Sequence, residues 1–383
     1  MAGQAPPHIL IVAGEASGDL HGANLVAALR ELAPELTVAA MGGKALKAQG
    51  VEMLYDAARL AVVGIIEVLS HLRDIRQAMA ALVVHLQERR PDLLVLIDYP
   101  DFNFLLARKA KRLGIPILYY ISPQVWAWRR GRVKTIRRLV DRMAVILPFE
   151  QAFYRKYGME VDFVGHPLLD TVRTILPREA FLGHHHIPAH HTLIGLLPGS
   201  RRKEIATMLP VFLAAAARLK AQYPDLTFLI PLAPTLEMAD LEAAGLAGCG
   251  LDYRVIEEER YELMAACDAV MAASGTVTLE LAILGVPMVV SYRVSPVTYA
   301  LGRWLIKVDY AALVNLVAGE RVVEELLQHD ATPEKISEAV GRLLSDTEYR
   351  RVMIAKLHQV RETLGAPGAS RRTAQLVVQM IGR

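Results

Sequence analysis

Cysteine is almost missing from this chain of 383 residues: only Cys249 and Cys267 occur. Two are too few for a disulfide framework, and a reducing, cytosolic setting is the simpler expectation. A charge excess is missing too. Lys and Arg number 43 against 40 Asp and Glu, a net charge of +3, which is no nucleic-acid signature. No uncharged stretch approaches about 18 residues, so no segment is expected to span a membrane. The nearest, "LAVVGIIEVLSHL" (60–72), carries Glu67 and His71. The opening "MAGQAPPHILIVAGE" has no basic leader and only a short apolar run before Glu15, so it reads as a first strand and not a signal peptide.

What is present is apolar and rhythmic. Hydrophobic residues make up 53% and charged residues 22%, which suits a well-buried α/β protein and excludes disorder. Strand-like runs ("HILIVAG", "LTVAAMGG", "DLLVLIDYP", "IPILYYIS", "RMAVILPF") alternate with helical spacing in "GANLVAALRELA", "LRDIRQAMAALVVHLQERR" and "NFLLARKAKRLG". Alternating strand and helix predicts a parallel sheet covered on both faces. The rhythm lapses in "RTILPREAFLGHHHIPAHH", restarts at "TLIGLLPGSRRKEI", and gives way to amphipathic helices near the carboxyl terminus. The length exceeds one ordinary core. The expected architecture is α/β with two Rossmann-like domains, their parallel sheets facing a central cleft. The expected domains are 1–175, a linker at 176–191, a second domain at 192–345, and carboxyl-terminal helices at 346–383 that return to the first.

Ligands of such sheets bind beyond the carboxyl ends of strands, so the residues just after each strand carry the information. In "HILIVAGEASGDLHGANLVAALREL" the turn after the first strand holds Gly14, Gly18 and Gly22 together with Glu15, Ser17, Asp19 and His21. That is more than a bend requires. Asp98, at the end of "LLVLID", is placed to accept a proton from a hydroxyl nucleophile, whereas Asp101 suits a helix N-cap. "LLPGSRRKEI" brings Gly199, Ser200 and Arg201 to a helix start, where free N–H groups and a guanidinium suit phosphate oxygens. A plain Ser cap with solvated arginines accounts for the same spacing. "MAASGTVTLE" repeats the arrangement with Ser274, Gly275 and Thr276, and Glu280 follows as a carboxylate able to hold ribose hydroxyls or simply to favour the helix dipole. From Trp126 to Arg142 seven basic residues face one Asp, a pattern open to nucleic acid, an anionic membrane or a solvated flank. His184, His185, His186, His190 and His191 fall in the expected linker, apart from acidic or thiol partners in sequence, and no metal is expected there.

Taken in order, "GEASGDLHGA", "DYPDFN", "SPQVWAW", "GHPLLD", "LLPGSRRKEI", "SGTVTLE" and "NLVAGERVVEELLQ" resemble the lipid-A-disaccharide synthase family. These are inverting glycosyltransferases of family 19 with the two-Rossmann-domain architecture called GT-B. The likeness runs from Ile9 to the carboxyl terminus. It implies transfer of 2,3-diacylglucosamine from UDP to the 6-hydroxyl of 2,3-diacylglucosamine 1-phosphate, giving a β-1,6 disaccharide phosphate and UDP. It implies no cofactor, a peripheral place on the cytoplasmic face of the inner membrane, no nucleic-acid partner, and room for a homodimer. It implies that Asp98 is catalytic and that Gly14, Glu15, Ser17, Gly18, Asp19, Asn103, Gln124 and Trp126 line the active site. UDP is expected on Gly199, Ser200, Arg201, Ser274, Gly275, Thr276 and Glu280, with Asn315, Glu320 and Gln328 near the cleft in unassigned roles. The 60–72 segment with Trp126 and Trp128 is the expected lipid-facing wall. The rival readings are another GT-B enzyme, a peptidoglycan transferase or a UDP-sugar 2-epimerase, and a non-catalytic nucleotide-sugar or lipid binder.

Overall fold

A computed structural model describes residues 6–60, 68–128, 130–295, 299 and 308–382. The chain divides into two compact units, 1–167 with 365–383, and 168–364.

The first unit is built on seven strands: β1 (His8–Ala13), β2 (Thr37–Gly42), β3 (Glu52–Asp56), β4 (Leu93–Ile97), β5 (Ile117–Tyr120), β6 (Arg142–Val145) and β7 (Asp162–Phe163). Their order is β3-β2-β1-β4-β5-β6-β7, and every pairing is parallel. Period-two alternation divides the core between the two faces. Leu10, Val12, Leu94 and Leu96 pack with Phe104 and Leu106 on one side. Ile9, Ile11, Ala13, Val95 and Ile97 pack with Leu25, Leu29, Ala374 and Val377 on the other. The helices supplying that second cover, Ala16–Leu32 and Ala369–Ile381, lie against each other. Arg372 clamps the last helix to the sheet by donating from Nε to the Val164 carbonyl (2.8 Å).

The second unit repeats the scheme with β8 (Thr192–Leu197), β9 (Leu226–Pro231), β10 (Tyr253–Ile256), β11 (Ala269–Ala273), β12 (Met288–Tyr292) and β13 (Glu324–Leu327). They are ordered β10-β9-β8-β11-β12-β13, again all parallel. In both units the chain winds outward from the first strand in one direction and then restarts beside it in the other. The crevice at this reversal lies beyond the carboxyl ends of β1 and β4, and of β8 and β11.

The boundaries differ from those read in the sequence. The second unit starts at Leu168, and the stretch expected as a linker contains a helix, Arg178–His184, with Phe181 and Leu182 buried. The carboxyl-terminal helices also separate: Thr347–Thr363 lies in the second unit, and only the chain from Gly365 onward joins the first. Among the described residues no helix is long and apolar enough to cross a membrane. The 60–72 stretch expected to face lipid lies mainly outside the described residues.

A true linker would tolerate loss of an aromatic ring. Phe181→Ala is instead expected to destabilise the second unit by about 3–5 kcal/mol, measured as a fall in the urea midpoint at unchanged slope; a midpoint equal to the wild type would return this segment to linker status.

Candidate active site

At the crevice of the first unit the chain leaves β4 in an unusual conformation. Asp98 (φ 45°) and Tyr99 (φ 47°) are both left-handed, and Ile121, leaving β5, is too (φ 65°). Such backbone is costly for residues with a Cβ, more so for a β-branched one, and persists where surroundings enforce it. The enforcing groups are identifiable. Asn103 Nδ2 donates to the carbonyls of Asp98 (2.6 Å) and Ile97 (3.3 Å), and the Tyr119 hydroxyl donates to the Asp98 carbonyl (2.6 Å). The Tyr99 ring lies over Gly14, where an added Cβ would sit 2.2 Å from Tyr99 Cδ1. Gly14 is a glycine because an aromatic ring occupies the space of its side chain.

Burial, and after it the Glu15 carboxylate, push the Asp98 carboxyl up to about 6, against the opposing Tyr99 N–H. Tyr99 is raised by the same two causes. Glu15 and Ser17 are exposed beside the first helix. Two histidines complete this end of the sheet. Burial lowers His21 to about 4, and burial together with the charge of His21 lowers His166 to about 4, so both are neutral near pH 7. His21 packs edge-on to Tyr120. Neither was assigned a role from sequence, although His21 lies in the opening turn and His166 in "GHPLLD"; their shared position depends on the return of the chain after β7.

Several residues expected to line the site support it instead. Asp19 is buried, and its carboxylate accepts from the amides of Gly43 (2.7 Å), Ala45 (2.8 Å) and Leu46 (3.1 Å). It therefore caps the short helix Lys44–Ala48 across the crevice wall. Gly18 is covered by Ala13 and Ile97, a helix-to-sheet contact. Asn103 is fully buried, its amide given to the Asp98 turn. Trp126 is buried edge-on against Phe149 (5.0 Å), which removes it from a lipid-facing wall, while Trp128 and Gln124 are exposed. Beneath that loop lies Glu150, whose carboxyl burial pushes up to about 7 against hydrogen bonds from Leu147 and Ser122. Asp101 is not the N-cap: the helix Pro100–Arg112 is preceded by Tyr99, and Asp101 in its first turn pairs with Arg132 (2.5 Å). Other members of the basic run have structural partners as well, Arg142 gripping Asp162 (2.8 and 3.1 Å) and Arg137 the Tyr157 carbonyl.

In the second unit Gly199 (φ 123°) turns the chain from β8 into the helix Arg202–Gln222. A Cβ there would meet Glu204 Oε2 at 2.5 Å. Glu204, which the sequence reading passed over, accepts from the Ser200 amide (3.0 Å), from Arg201 (3.1 Å) and from the Tyr292 hydroxyl (3.4 Å). The amino-terminal start of this helix thus holds a carboxylate of the protein. Arg201 remains 81% exposed. After β11, Gly275 opens onto free space and Thr276 is exposed. Ser274 Oγ donates to the Ala311 carbonyl (3.0 Å). Glu280 is buried, its carboxyl raised by burial and opposed by Arg260, which donates to it at 2.5 Å. Arg260 was likewise not singled out from sequence.

The residues of "NLVAGERVVEELLQ" act on this loop from below. Asn315 is fully buried. It donates to the Val323 carbonyl (2.9 Å) and Glu325 (2.8 Å) and accepts from the amides of Val322 (2.8 Å) and Val323 (2.9 Å). Glu325 in turn accepts from the amides of Ala311 and Ala312 (both 3.0 Å), and Ala311 carries the carbonyl that Ser274 uses. Glu320 pairs with Lys356 at the surface (2.6 Å). Gln328 (φ 53°) lies against Val294, and with its amide oxygen and nitrogen exchanged it pairs with both backbone groups of that residue (3.1 and 3.0 Å).

Comparison with known proteins bears on this arrangement. Residues 9–380 match the family model described as lipid-A-disaccharide synthetase. The chain is 52% identical over 375 residues to the lipid-A-disaccharide synthase of Geobacter sulfurreducens, covering 98% of this chain and 97% of the relative. Among solved structures it is similar to the glycotransferase of kitacinnamycin (TM-score 0.68, 19% identity, 98% of this chain and 100% of that one). It is also similar to UDP-GlcNAc 2-epimerase from Neisseria meningitidis bound to UDP-GlcNAc (TM-score 0.66, 14% identity, 97% and 100%). The two structural likenesses show the fold alone: paired Rossmann-like halves of the GT-B kind.

Asn315→Ala would strand three buried backbone groups and one carboxylate, and is expected to cost ~3 kcal/mol or more. Glu320→Ala, which breaks a surface pair, should stay within about 0.5 kcal/mol. Urea unfolding of both variants checks the contrast, and equal effects would remove the supporting role given to Asn315.

Proposed function

Because the chain belongs to the lipid-A-disaccharide synthetase family and is a glycosyltransferase, we propose that Asp98 is the general base of its sugar transfer. The substrates in this reading are UDP-2,3-diacylglucosamine as donor and 2,3-diacylglucosamine 1-phosphate as acceptor. The Asp98 carboxylate takes the proton of the acceptor 6-hydroxyl as that oxygen attacks the anomeric carbon, and the bond to UDP breaks on the opposite face. The products are the β-1,6 disaccharide 1-phosphate and UDP.

The observation that carries this reading is the environment of Asp98. A carboxylate with an ordinary value is a weak base near neutrality. One raised to about 6 remains mostly ionised at pH 7.5 and is better matched to accept a proton, an effect worth roughly 10²–10⁴-fold in such catalysis. The left-handed turn and its bonds from Asn103 and Tyr119 hold it in place before substrate arrives, so little reorganisation falls on the transition state.

Negative charge grows on UDP as the bond breaks. Arg201 and the amides of the Gly199–Ser200 and Ser274–Thr276 turns are suited to stabilise it, and Glu280, fixed by Arg260, is suited to the ribose hydroxyls. The proton of the acceptor hydroxyl goes to Asp98, and the electron pair of the broken glycosidic bond goes to UDP. We assign the chain a peripheral position on the cytoplasmic face of the inner membrane, where two acylated substrates are available to it. The epimerase likeness carries no competing argument, since at 14% identity it extends to fold and not to chemistry.

Incubation with both lipids should release UDP and disaccharide in equal amounts. Asp98→Ala is expected to lower turnover at least a hundredfold while UDP binding, followed by calorimetry, persists; an unimpaired variant removes the base. The acid limb of kcat/KM should fall as pH drops through about 6, because protonated Asp98 cannot accept. Glu15→Gln removes a neighbouring negative charge, so Asp98 ionises more readily and that limb moves to lower pH. A limb unmoved, or moved upward, would break the link between Glu15 and Asp98.

A further inference from the structure

Four of the five histidines between 184 and 191 are sorted by the fold into two pairs. His184 and His185 face Glu259, at 3.3 and 2.9 Å. His190 and His191 stand just before β8, their rings 4.7 Å apart and nearly perpendicular. The parallel pairing of β8 with β9 brings Asp225 beside them, since the Thr192 amide donates to the Asp225 carbonyl (2.9 Å). One ligand atom from each of His190, His191 and Asp225 lies within 4.8 Å of the others. The sequence reading found these histidines without an acidic partner; the partner comes from a residue 34 positions after His191, through strand register.

A second feature suits metal ligation. His191 Nδ1 is 2.8 Å from Thr227 Oγ1, and Thr227 Oγ1 is 2.8 Å from Asp252 Oδ2. Arg254 Nη1 donates to the other Asp252 oxygen at 2.6 Å, an ion pair in which both carboxylate oxygens serve as acceptors. An ionised carboxylate only accepts, so the single hydroxyl proton of Thr227 goes to Asp252. Thr227 Oγ1 must then accept from His191 Nδ1–H. With Nδ1–H so engaged, Nε2 is the ring nitrogen left for a metal, the orientation that outer-shell partners impose on ligating histidines. Thr227 is fully buried, so water does not compete for this relay.

We propose that His190, His191 and Asp225 form a binding site for a divalent cation of borderline softness, Zn²⁺ foremost, at the amino-terminal edge of the second sheet. Two imidazoles and a carboxylate match the ligand preferences of that ion. Zinc bonds of about 2.0–2.2 Å place tetrahedral ligands roughly 3.3 Å apart, a spacing that the exposed His190 and Asp225 side chains reach by rotation. Three protein ligands leave a position for water. The site lies at the opposite ends of β8 and β9 from the Gly199 turn, so its effect is to tie the entries of two adjacent strands together, apart from sugar transfer.

The test is calorimetric titration of the untagged full chain with ZnCl₂ at pH 7.5 in a non-chelating buffer, paired with thermal unfolding. One ion per chain should bind with a micromolar dissociation constant and raise the unfolding midpoint. His190→Ala and Asp225→Asn, both at exposed positions, should each weaken binding at least tenfold. Thr227→Val, close in volume but unable to accept from His191, should weaken it by about 10–100-fold. The double variant His184→Ala, His185→Ala should bind as the wild type does. The site is refuted if no ion binds, if binding survives His190→Ala combined with Asp225→Asn, or if it is lost in the His184, His185 variant.

Discussion

Two consecutive left-handed residues, Asp98 and Tyr99, set the geometry of the first unit's functional end. Residues with a Cβ avoid this conformation at a cost of order 1–3 kcal/mol each, and the neighbouring structure offsets it. Asn103 and Tyr119 converge on the Asp98 carbonyl from a helix and a strand, and the Tyr99 ring fills the space that glycine leaves at position 14. The turn thus joins three strand ends, β1 through Gly14, β4 through Asp98 and β5 through Tyr119. It also sets the environment of the proposed base. A carboxylate set into this packed corner loses water, and Glu15 adds repulsion, so both effects act in the direction of a stronger base.

The second unit solves a related problem by other means. Its loop after β11 is open, with Gly275 facing free space, and in the proposed reading it must also be fixed enough to present amides to UDP. The fixing comes from underneath, through Asn315 to Glu325, from Glu325 to the amides of Ala311 and Ala312, and from the Ala311 carbonyl to Ser274. All four hydrogen-bonding positions of the Asn315 amide are used. A side chain in that state is a structural fastener, and its chemistry is closed to substrate.

Sequence alone disclosed the parts governed by local periodicity. The continuous apolar runs "HILIVAG" and "LLVLID" marked strands, and the rule that ligands gather beyond strand ends selected Asp98, Gly199 and Ser274, all of which lie at the two strand-order reversals. It did not disclose contacts made across the chain. Asp19 looks like a site carboxylate until its three amide donors, more than 20 residues away, are seen. Trp126 looks lipid-facing until Phe149 covers it. Phe181 sits in a stretch without α/β rhythm, so its burial shows only once the second sheet is assembled. In each case the deciding partner is remote, and residue type is silent about whether a polar or aromatic group is already satisfied.

The same criterion, whether a charge is already spent, separates the basic and acidic residues of the donor loops. Arg260 and Glu280 form a pair buried on its acidic side, and removing one partner there would leave a desolvated charge, which resists exchange. Arg201 and Glu204 differ. Arg201 is 81% exposed, and exposed pairs are worth only about 0–1 kcal/mol, so a phosphate group bearing more charge can take the guanidinium from Glu204. The Ser200 amide, held by the same carboxylate, is released by the same exchange. In the proposed reading Glu204 keeps the helix start charge-balanced until the diphosphate arrives, and its weak bond to Arg201 lets the diphosphate compete for both donors at once.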